Sequence, residues 1–236
     1  SLNASVKVST NQAGLTFTPS PSLAFNSTYF WTVIPKNSIG NATACVVNSF
    51  TTHIPANFTS TALGGIWSDP ATWAGNIVPG FGDNAIIADG ATVLINASLL
   101  TTAGINNITV GQGTSGVLQV GTTSILQVIG NLTINSGARF LPHNTTPTGQ
   151  EIRVGGNFIN NGFANLAVAG TILSLNGSAV SGGSLSQTLG GTGTFVGDGT
   201  SGIINDLRFI TTGTTSITTT QNLIVYNLTH AAGTLT

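Results

Sequence analysis

The chain has 236 residues with an apolar fraction of 40% and 31 glycines, which is typical of a globular chain rather than a disordered one. Its charged fraction is only 5%, against about 25% in an average soluble protein, and its formal net charge is -1. Five scattered cations argue against a nucleic-acid surface and a basic lipid-binding patch. No run of about 18 apolar residues occurs, so no transmembrane helix is expected.

The first 53 residues contain two runs of alternating apolar residues on either side of an N-S-I-G turn, which predicts two paired β-strands. Tyr29 and Trp31 are two positions apart, so their side chains share one face of the first strand. Cys45 falls in the second run, where we expect a buried and unreactive thiol. It is the single cysteine, so we expect no internal disulfide and no thiolate metal site.

The same region resembles the last strands of a fibronectin type III domain, with a T-Y-x-W-x-V strand, an N-x-x-G turn and a final S-F-x-T strand. The resemblance covers residues 1–53, roughly half of such a domain. It implies a sandwich with one sheet uncovered, because a sandwich core needs both inner faces. We therefore expect either that residue 1 is not the biological start or that another chain completes the sheet. The matching residues are Thr28, Tyr29, Trp31, Val33, Asn37, Gly40, Ser49, Phe50 and Thr52.

Residues 65–98 hold two of the three tryptophans, in the order W-x-x-P-x-T-W-x-G followed by P-x-x-G-D. This order resembles the start of the eight-glycine β-helical domain of extracellular proteins. It is also similar to the β-helical modules of very large secreted surface proteins of Bacteroidota. The resemblance implies an extracellular or cell-surface location. The matching residues are Trp67, Pro70, Thr72, Trp73, Gly75, Pro79, Gly82, Asp83, Ile87, Gly90, Val93 and Ile95.

Short apolar-x-apolar strand cores, separated by Gly and Asn, recur from residue 84 to the end of the chain, and no sustained helical period occurs. The chain is therefore predicted to be all-β. We predict a linker at residues 54–64 and a right-handed parallel β-helix or solenoid at residues 65–236, continuing beyond 236; a β-sandwich is the alternative. Coils of about 20 residues, using two or three strands each, would give roughly seven coils and a rod about 35 Å long. The strand cores are Val93–Ile95, Ile108–Val110, Leu118–Val120, Leu126–Val128, Leu132–Ile134, Ile152–Val154, Leu173–Leu175, Thr194–Val196, Leu207–Phe209 and Leu223–Val225.

The tryptophan-rich segment suits a structural cap. The first coil of a solenoid exposes unpaired backbone groups and an open apolar core, which must be covered. Two large aromatic rings can supply that cover, prolines fix the turns, and Asp69 and Asp83 can accept backbone N–H groups. The alternative is sugar stacking by an exposed Trp67 or Trp73. The expected cap residues are Trp67, Pro70, Trp73, Pro79 and Asp83.

Two acid–arginine pairs stand out among the few charged residues. Glu151 with Arg153, and Asp206 with Arg208, are each two positions apart on one strand face, which predicts solvated ion pairs worth under about 1 kcal/mol. The alternative is a cation–base site like those of β-helical polysaccharide lyases and glycosidases. The six acids form no sequence cluster, so we expect no catalytic site.

Metal and cofactor sites are not expected. The three histidines are far apart and lack metal-ligand spacing, and His143 falls in a long loop. Asp198, in a G-D-G turn, is a weak Ca²⁺ candidate because hard cations need six to eight oxygen ligands. A turn with glycine is the simpler interpretation of that segment.

Ten N-x-S/T sequons occur, a modest excess over chance for a chain rich in Asn, Ser and Thr. They have meaning only in a host that glycosylates such sequences, so they do not fix the localisation. The sequons begin at Asn3, Asn26, Asn41, Asn57, Asn96, Asn107, Asn131, Asn144, Asn176 and Asn227.

Two function classes remain after this reading. The first is a non-catalytic structural or adhesive module of a large extracellular surface protein or fibre. Its partners would be neighbouring domains of a longer chain or copies of itself, with surface glycans as a further possibility; nucleic acid and a membrane span are not expected. The second is a polysaccharide-binding or polysaccharide-degrading β-helix, which needs exposed aromatics or converging charges on one face.

Overall fold

The structure is a computed structural model that divides the chain into two compact units, Ser1–Pro55 and Ala56–Thr236. His143, which is expected in a long loop, and Asp198, the weak Ca²⁺ candidate, lie outside the described residues. The structure describes residues 23–24, 27–99, 104–142, 149–177, 186–197, 200–214 and 216–234.

The first unit contains a two-stranded antiparallel ribbon, β1 (Thr28–Trp31) and β2 (Asn48–Thr51). Tyr29 lies opposite Phe50, and their rings stack with centroids 5.9 Å apart. Cys45 precedes the second strand instead of lying inside it, and it is only half-buried, so the expectation of a buried thiol was wrong. The ribbon matches the two paired strands expected from the alternating runs.

The described residues of the second unit form eighteen further strands and one short 3₁₀ turn, Pro70–Thr72. The described part of the chain contains no helix with the length and hydrophobicity that a membrane crossing requires. The strands are β3 (Asn57–Thr59), β4 (Gly65–Ile66), β5 (Asn84–Ile87), β6 (Thr92–Ile95), β7 (Asn107–Val110), β8 (Val117–Val120), β9 (Ile125–Val128), β10 (Leu132–Ile134), β11 (Arg139–Pro142), β12 (Glu151–Val154), β13 (Phe158–Asn160), β14 (Phe163–Ala164), β15 (Ile172–Leu175), β16 (Ser186–Gly190), β17 (Thr194–Phe195), β18 (Gly202–Thr214), β19 (Ser216–Thr219) and β20 (Leu223–Thr234).

These strands form three parallel sheets that run along a β-solenoid of about six turns. The first sheet has seven strands in the order β3-β5-β7-β10-β13-β16-β19, and each pair of neighbours is parallel. The second sheet follows the order β4-β6-β8-β11-β14-β17, and the third follows β9-β12-β15-β18-β20. The predicted all-β solenoid is therefore confirmed, and the β-sandwich alternative was wrong because the strands pair with the next coil and not with a hairpin partner.

The coils are longer than predicted. Equivalent positions in successive coils are 27, 23, 24, 26 and 31 residues apart, against the expected 20 or so. The extra length lies in the turns, because a coil with three strands must change direction three times. Most of the strand cores were placed correctly: inward residues such as Ile108, Leu132 and Phe158 stack in register and are fully buried. The core predicted at Thr194–Val196 was wrong, because Thr194 is exposed and the middle residue, Phe195, is the buried one.

The solenoid also begins earlier than predicted. Asn57–Thr59 forms β3, which pairs with β5, and Gly65–Ile66 forms β4, which pairs with β6. Most of the expected linker, residues 54–64, therefore belongs to the first coil. The segment Asn57–Thr59 was missed because only Phe58 in it is a large apolar residue, which gives no alternating pattern.

Candidate functional site

A pair of perpendicular tryptophan rings closes the first coil of the solenoid. Trp67 and Trp73 are each 1% exposed, and their ring centroids lie 4.7 Å apart at an interplanar angle of 73°. The Trp73 Nε1–H donates to the Trp67 carbonyl oxygen at 2.8 Å, which fixes the ring orientation. The edge-to-face geometry matches the quadrupole preference of aromatic pairs. The rings therefore form the first layer of the buried core.

The segment that carries Trp73 also blocks the free edge of the first sheet. Ser60 and Trp73 form an antiparallel bridge beside β3. Thr61 N donates to Thr72 O at 2.8 Å, and Ala74 N donates to Thr59 O at 2.9 Å. A parallel solenoid exposes an open strand edge at its first coil, and open edges template the addition of other strands. Here a reversed segment of the same chain takes up those backbone groups.

The acidic residues and prolines of this segment hold its turns. The Asp69 carboxylate accepts from Ala71 N at 2.9 Å and caps the 3₁₀ turn, in which Pro70 takes the first position. The buried Asp83 carboxylate accepts from Ala56 N at 3.0 Å and from Gly80 N at 2.8 Å, beside the buried Pro79. Asp83 therefore ties the entry of the first coil to the start of the second.

The burial of both tryptophans corrects their interpretation as glycan contacts. A sugar can stack only on a ring face that solvent reaches, and Trp67 and Trp73 are each 1% exposed. The sequence pattern could not separate a buried ring from an exposed one, because both readings place large aromatics next to turn-forming prolines.

An asparagine ladder, unrecognised in the sequence, runs along one corner of the solenoid. Each member lies just before an inward residue of the first sheet and contacts its equivalents in the neighbouring coils. At the first two steps the side-chain amide donates to the amide oxygen of the preceding coil, at 2.8 and 2.9 Å. At the next three steps a backbone N–H donates to the amide oxygen of the preceding coil, at 2.8, 2.8 and 2.7 Å. The members of the asparagine ladder are Asn57, Asn84, Asn107, Asn131, Asn157 and, at the last step, Thr188.

The signal for the asparagine ladder was present in the sequence. Asn directly precedes an apolar residue in N-F-T, N-A-I, N-I-T, N-L-T and N-F-I, once in each of five coils. The spacing of 23 to 31 residues between them concealed the repeat. Three of these Asn residues are followed, two positions later, by a Thr on the outer face of the strand. Part of the excess of N-x-S/T sequons therefore arises from the asparagine ladder. Those three are Asn57, Asn107 and Asn131.

The two acid–arginine pairs come together on the outer face of the third sheet. In register, Arg153, Ser174 and Arg208 lie side by side on β12, β15 and β18. Arg153 Nη2 lies 2.8 Å from Glu151 Oε2, and Arg208 Nη2 lies 3.1 Å from the Asp206 Oδ2 atom. The Ser174 hydroxyl donates to Glu151 Oε1 at 2.7 Å. These five residues form one polar cluster that spans three coils, here called the ion-pair cluster.

Burial distinguishes the ion-pair cluster from the solvated pairs that the sequence predicted. Glu151 is 8% exposed and Ser174 is fully buried, which corrects the solvated interpretation for the Glu151 pair. Burial alone would raise the pKa of Glu151, but hydrogen bonds from Arg153 and Ser174 outweigh it and hold the pKa below its usual value. The hydrogen bonds to their carboxylates raise the pKa values of Arg153 and Arg208. Glu151, Arg153 and Arg208 are therefore charged at neutral pH.

A third carboxylate, Asp89, links the second coil to the third. Its oxygens accept from Gln112 N at 2.7 Å, Ser115 N at 3.0 Å and the Thr114 hydroxyl at 2.8 Å. The Gln112 N–H and then the Thr114 hydroxyl contribute most to lowering the pKa of Asp89, to about 2. The loop at residues 111–116 thus folds around a carboxylate of the preceding coil.

Comparisons with known proteins bring no assignment to these features. Scans of protein-family models, of curated proteins and of solved structures found no match to this chain. Within the described residues, His, Cys, Asp and Glu form no group of three that could hold a metal ion. Any function proposed for the chain therefore has to be argued from its sequence and its structure.

Proposed function

We propose that the chain is a non-catalytic structural or adhesive module of a large extracellular surface protein or fibre. The asparagine ladder carries this proposal, since it bonds each coil to the next from Asn57 to Thr188. In a solenoid each coil contacts only its neighbours, so resistance to bending and stretching depends on such coil-to-coil bonds. A stalk or fibre needs this resistance along its whole length.

The composition supports the extracellular part of the proposal. A charged fraction of 5% and a single half-buried cysteine leave few groups that pH, salt or oxidation can change. The ribbon of the first unit is consistent with a further β-domain ahead of the solenoid, as the resemblance to fibronectin type III strands implies. Neighbouring domains of a longer chain, or copies of this chain, are the proposed partners.

The experiment is immunogold labelling of intact producing cells with antibodies raised against the purified chain, paired with immunoblotting of the undigested native polypeptide. We expect labelling of intact cells and a polypeptide, or a filament, much larger than 23.8 kDa. Antigen-binding fragments of the same antibodies should reduce attachment of the cells to a surface. Labelling that appears only after the cells are broken would overturn the extracellular assignment.

A second candidate is polysaccharide cleavage, and the ion-pair cluster favours it, because carboxylates and cations share one rod face there. It ranks second because each carboxylate is already engaged: Glu151 accepts from Arg153 and Ser174, and Asp206 accepts from Arg208. A general base needs a lone pair that can reach a substrate proton. Release of reducing ends or unsaturated sugars from acidic polysaccharides, abolished by Glu151→Gln, would reverse this ranking.

A further inference from the structure

A shallow open groove of about 420 Å³ crosses three coils where β11, β14 and β17 begin. Arg139, Phe163 and Thr194 stand in register on its strand side, on the outward face of the second sheet. Asn161 and Thr192 line the turn side. We call this feature the corner groove. It lies away from the ion-pair cluster, which belongs to the third sheet.

The floor of the corner groove is main chain because its residues cannot carry larger side chains. Gly162 and Gly193 take adjacent positions in successive coils. A Cβ atom on Gly162 would collide with the carbonyl oxygen of Ala138, and one on Gly193 would collide with that of Gly162. The close approach of the coils at this corner therefore requires glycine, and it leaves a depression beside the aromatic and cationic side chains.

Arg139 is the cation of the solenoid that has no carboxylate partner among the described residues. Arg153 and Arg208 are bonded to acids in the ion-pair cluster. The other described carboxylates of the solenoid, those of Asp69, Asp83 and Asp89, accept from backbone N–H groups. In the part of the chain that the structure describes, no carboxylate therefore compensates the charge of Arg139, and the side chain of Arg139 is exposed.

Phe163 holds the Arg139 guanidinium in place. The guanidinium carbon lies 5.1 Å from the centroid of the Phe163 ring, which is half-buried. Cation–π contact restricts the rotamers of an exposed arginine, so less entropy is lost when the arginine binds an anion. The fork of N–H donors on a guanidinium matches the paired oxygens of a carboxylate or a sulfate. The geometry is that of a preorganised anion contact.

The remaining lining residues suit a sugar more than an isolated anion. The side chains of Thr192 and Thr194 are exposed. Asn161 Oδ1 accepts from Thr192 N at 3.1 Å and from the Thr192 hydroxyl at 3.2 Å, which fixes that turn. Hydroxyls, backbone carbonyls and part of an aromatic ring, spread over three coils, complement a chain with both hydroxyl groups and apolar faces.

We propose that the corner groove binds an anionic glycan, with Arg139 contacting its carboxylate or sulfate groups and Phe163 positioning the arginine. This inference rests on the proposed surface function and names the chemical class of its partner. A glycan of this kind would make the module adhesive as well as structural. The contact needs no metal ion and no charge from the ion-pair cluster.

The test measures binding of the full chain to polygalacturonate, dextran sulfate and neutral dextran by biolayer interferometry at several salt concentrations. We expect binding to one or both anionic polymers and none to neutral dextran; the two anionic arms separate carboxylate from sulfate recognition. Arg139→Gln should weaken binding about tenfold or more, in the range of hydrogen bonds to charged groups. Arg139→Lys should recover part of the affinity, since it keeps the charge without the fork.

Lys36→Gln is the matched control, because it removes one exposed positive charge from the first unit. It should leave the affinity within about twofold of the unmodified chain. Phe163→Leu should weaken binding while leaving the urea unfolding midpoint nearly unchanged, because Phe163 is half-buried. Equal losses for Lys36→Gln and Arg139→Gln, or equal binding to neutral dextran, would overturn the proposal. Surface labelling of cells without any glycan binding would refute the corner groove alone and leave the proposed function in place.

Discussion

The first coil of the solenoid is closed, whereas the last described strand exposes large apolar side chains. Trp67 and Trp73 are 1% exposed at the first coil. On β20, Tyr226 is 62% exposed and Leu228 is 54% exposed. Yet Leu228 continues a core column, in register with Leu207, which is 4% exposed. The same apolar position is therefore buried or exposed according to whether another layer covers it.

This contrast shows that burial in the solenoid is a property of neighbouring coils rather than of residue type. A strand core of Leu or Val gains its full hydrophobic contribution only when coils lie on both sides. The first coil obtains its outer layer from the tryptophan pair and from the reversed segment at residues 72–74. Nothing comparable covers β20 among the described residues, so the two ends should respond differently to mutation.

The largest effect is expected for Trp73→Ala at the closed end. The substitution removes a fully buried ring, its hydrogen bond to Trp67 O and its edge contact with the other ring. Large-to-small aromatic substitutions in cores cost about 3–5 kcal/mol, and this one also opens the first layer of the core. Urea unfolding followed by circular dichroism measures the loss.

Tyr226→Ala is the matched variant at the other end. The ring of Tyr226 is 62% exposed, so we expect a loss below about 1 kcal/mol. If both substitutions cost the same, the tryptophan pair is not a cap and the comparison of the two ends fails. If Trp73→Ala is neutral, the first coil contributes little to the cooperative unit.

A smaller effect is expected for Asn107→Ala in the asparagine ladder. Asn107 Oδ1 accepts from Asn131 N at 2.8 Å, and its amide donates to Asn84 Oδ1 at 2.9 Å. Alanine leaves both partners without these bonds, and we expect a loss of about 1 kcal/mol in the urea unfolding free energy. The proposed role of the asparagine ladder in stiffness also predicts a lower unfolding force for this variant in single-molecule stretching.

Asn222→Ala, just before β20, is the control for the asparagine ladder. Its side chain is exposed and has no hydrogen bond among the described residues, so a change within about 0.5 kcal/mol is expected. A loss for Asn222→Ala equal to that for Asn107→Ala would mean that asparagine acts through turn propensity and not through coil-to-coil bonds.

The sequence predicted more of the fold than of the candidate sites. Alternating pairs such as Leu126 and Val128 identify strands locally, because one face of each strand is buried. The asparagine ladder and the ion-pair cluster depend on which coil lies beside which, and coil lengths between 23 and 31 residues hide that register. Glu151 and Asp206 are 55 positions apart, and only the pairing of β12, β15 and β18 brings them to one face.

The smallest expected effect is a loss of stability at acidic pH. It distinguishes the middle coils of the solenoid, which carry the ion-pair cluster, from the last described strand. The rows of the ion-pair cluster continue on β20 as the uncharged Asn227 and Thr229, so the charges end before that strand. The pKa of Glu151 is lowered from 4.5 in the folded chain, so its contribution to stability is complete above pH 4.5 and is lost as the pH falls below that value. We expect the urea midpoint to decrease in this range.

Glu151→Gln should lower the urea midpoint at pH 7 and flatten its decrease below pH 4.5, because the glutamine neither titrates nor pairs with the charge of Arg153. Asp89→Asn should instead flatten the decrease between pH 3.8 and about 2, the range in which Asp89 loses its backbone-bound charge. The two variants therefore test two different carboxylates, Glu151 on the third sheet and Asp89 between the second and third coils. If the urea midpoint of Glu151→Gln depends on pH as that of the unmodified chain does, Arg153 and Ser174 stabilise this face by packing alone. The charges of the ion-pair cluster would then contribute no more stability than the uncharged residues in the same rows of β20.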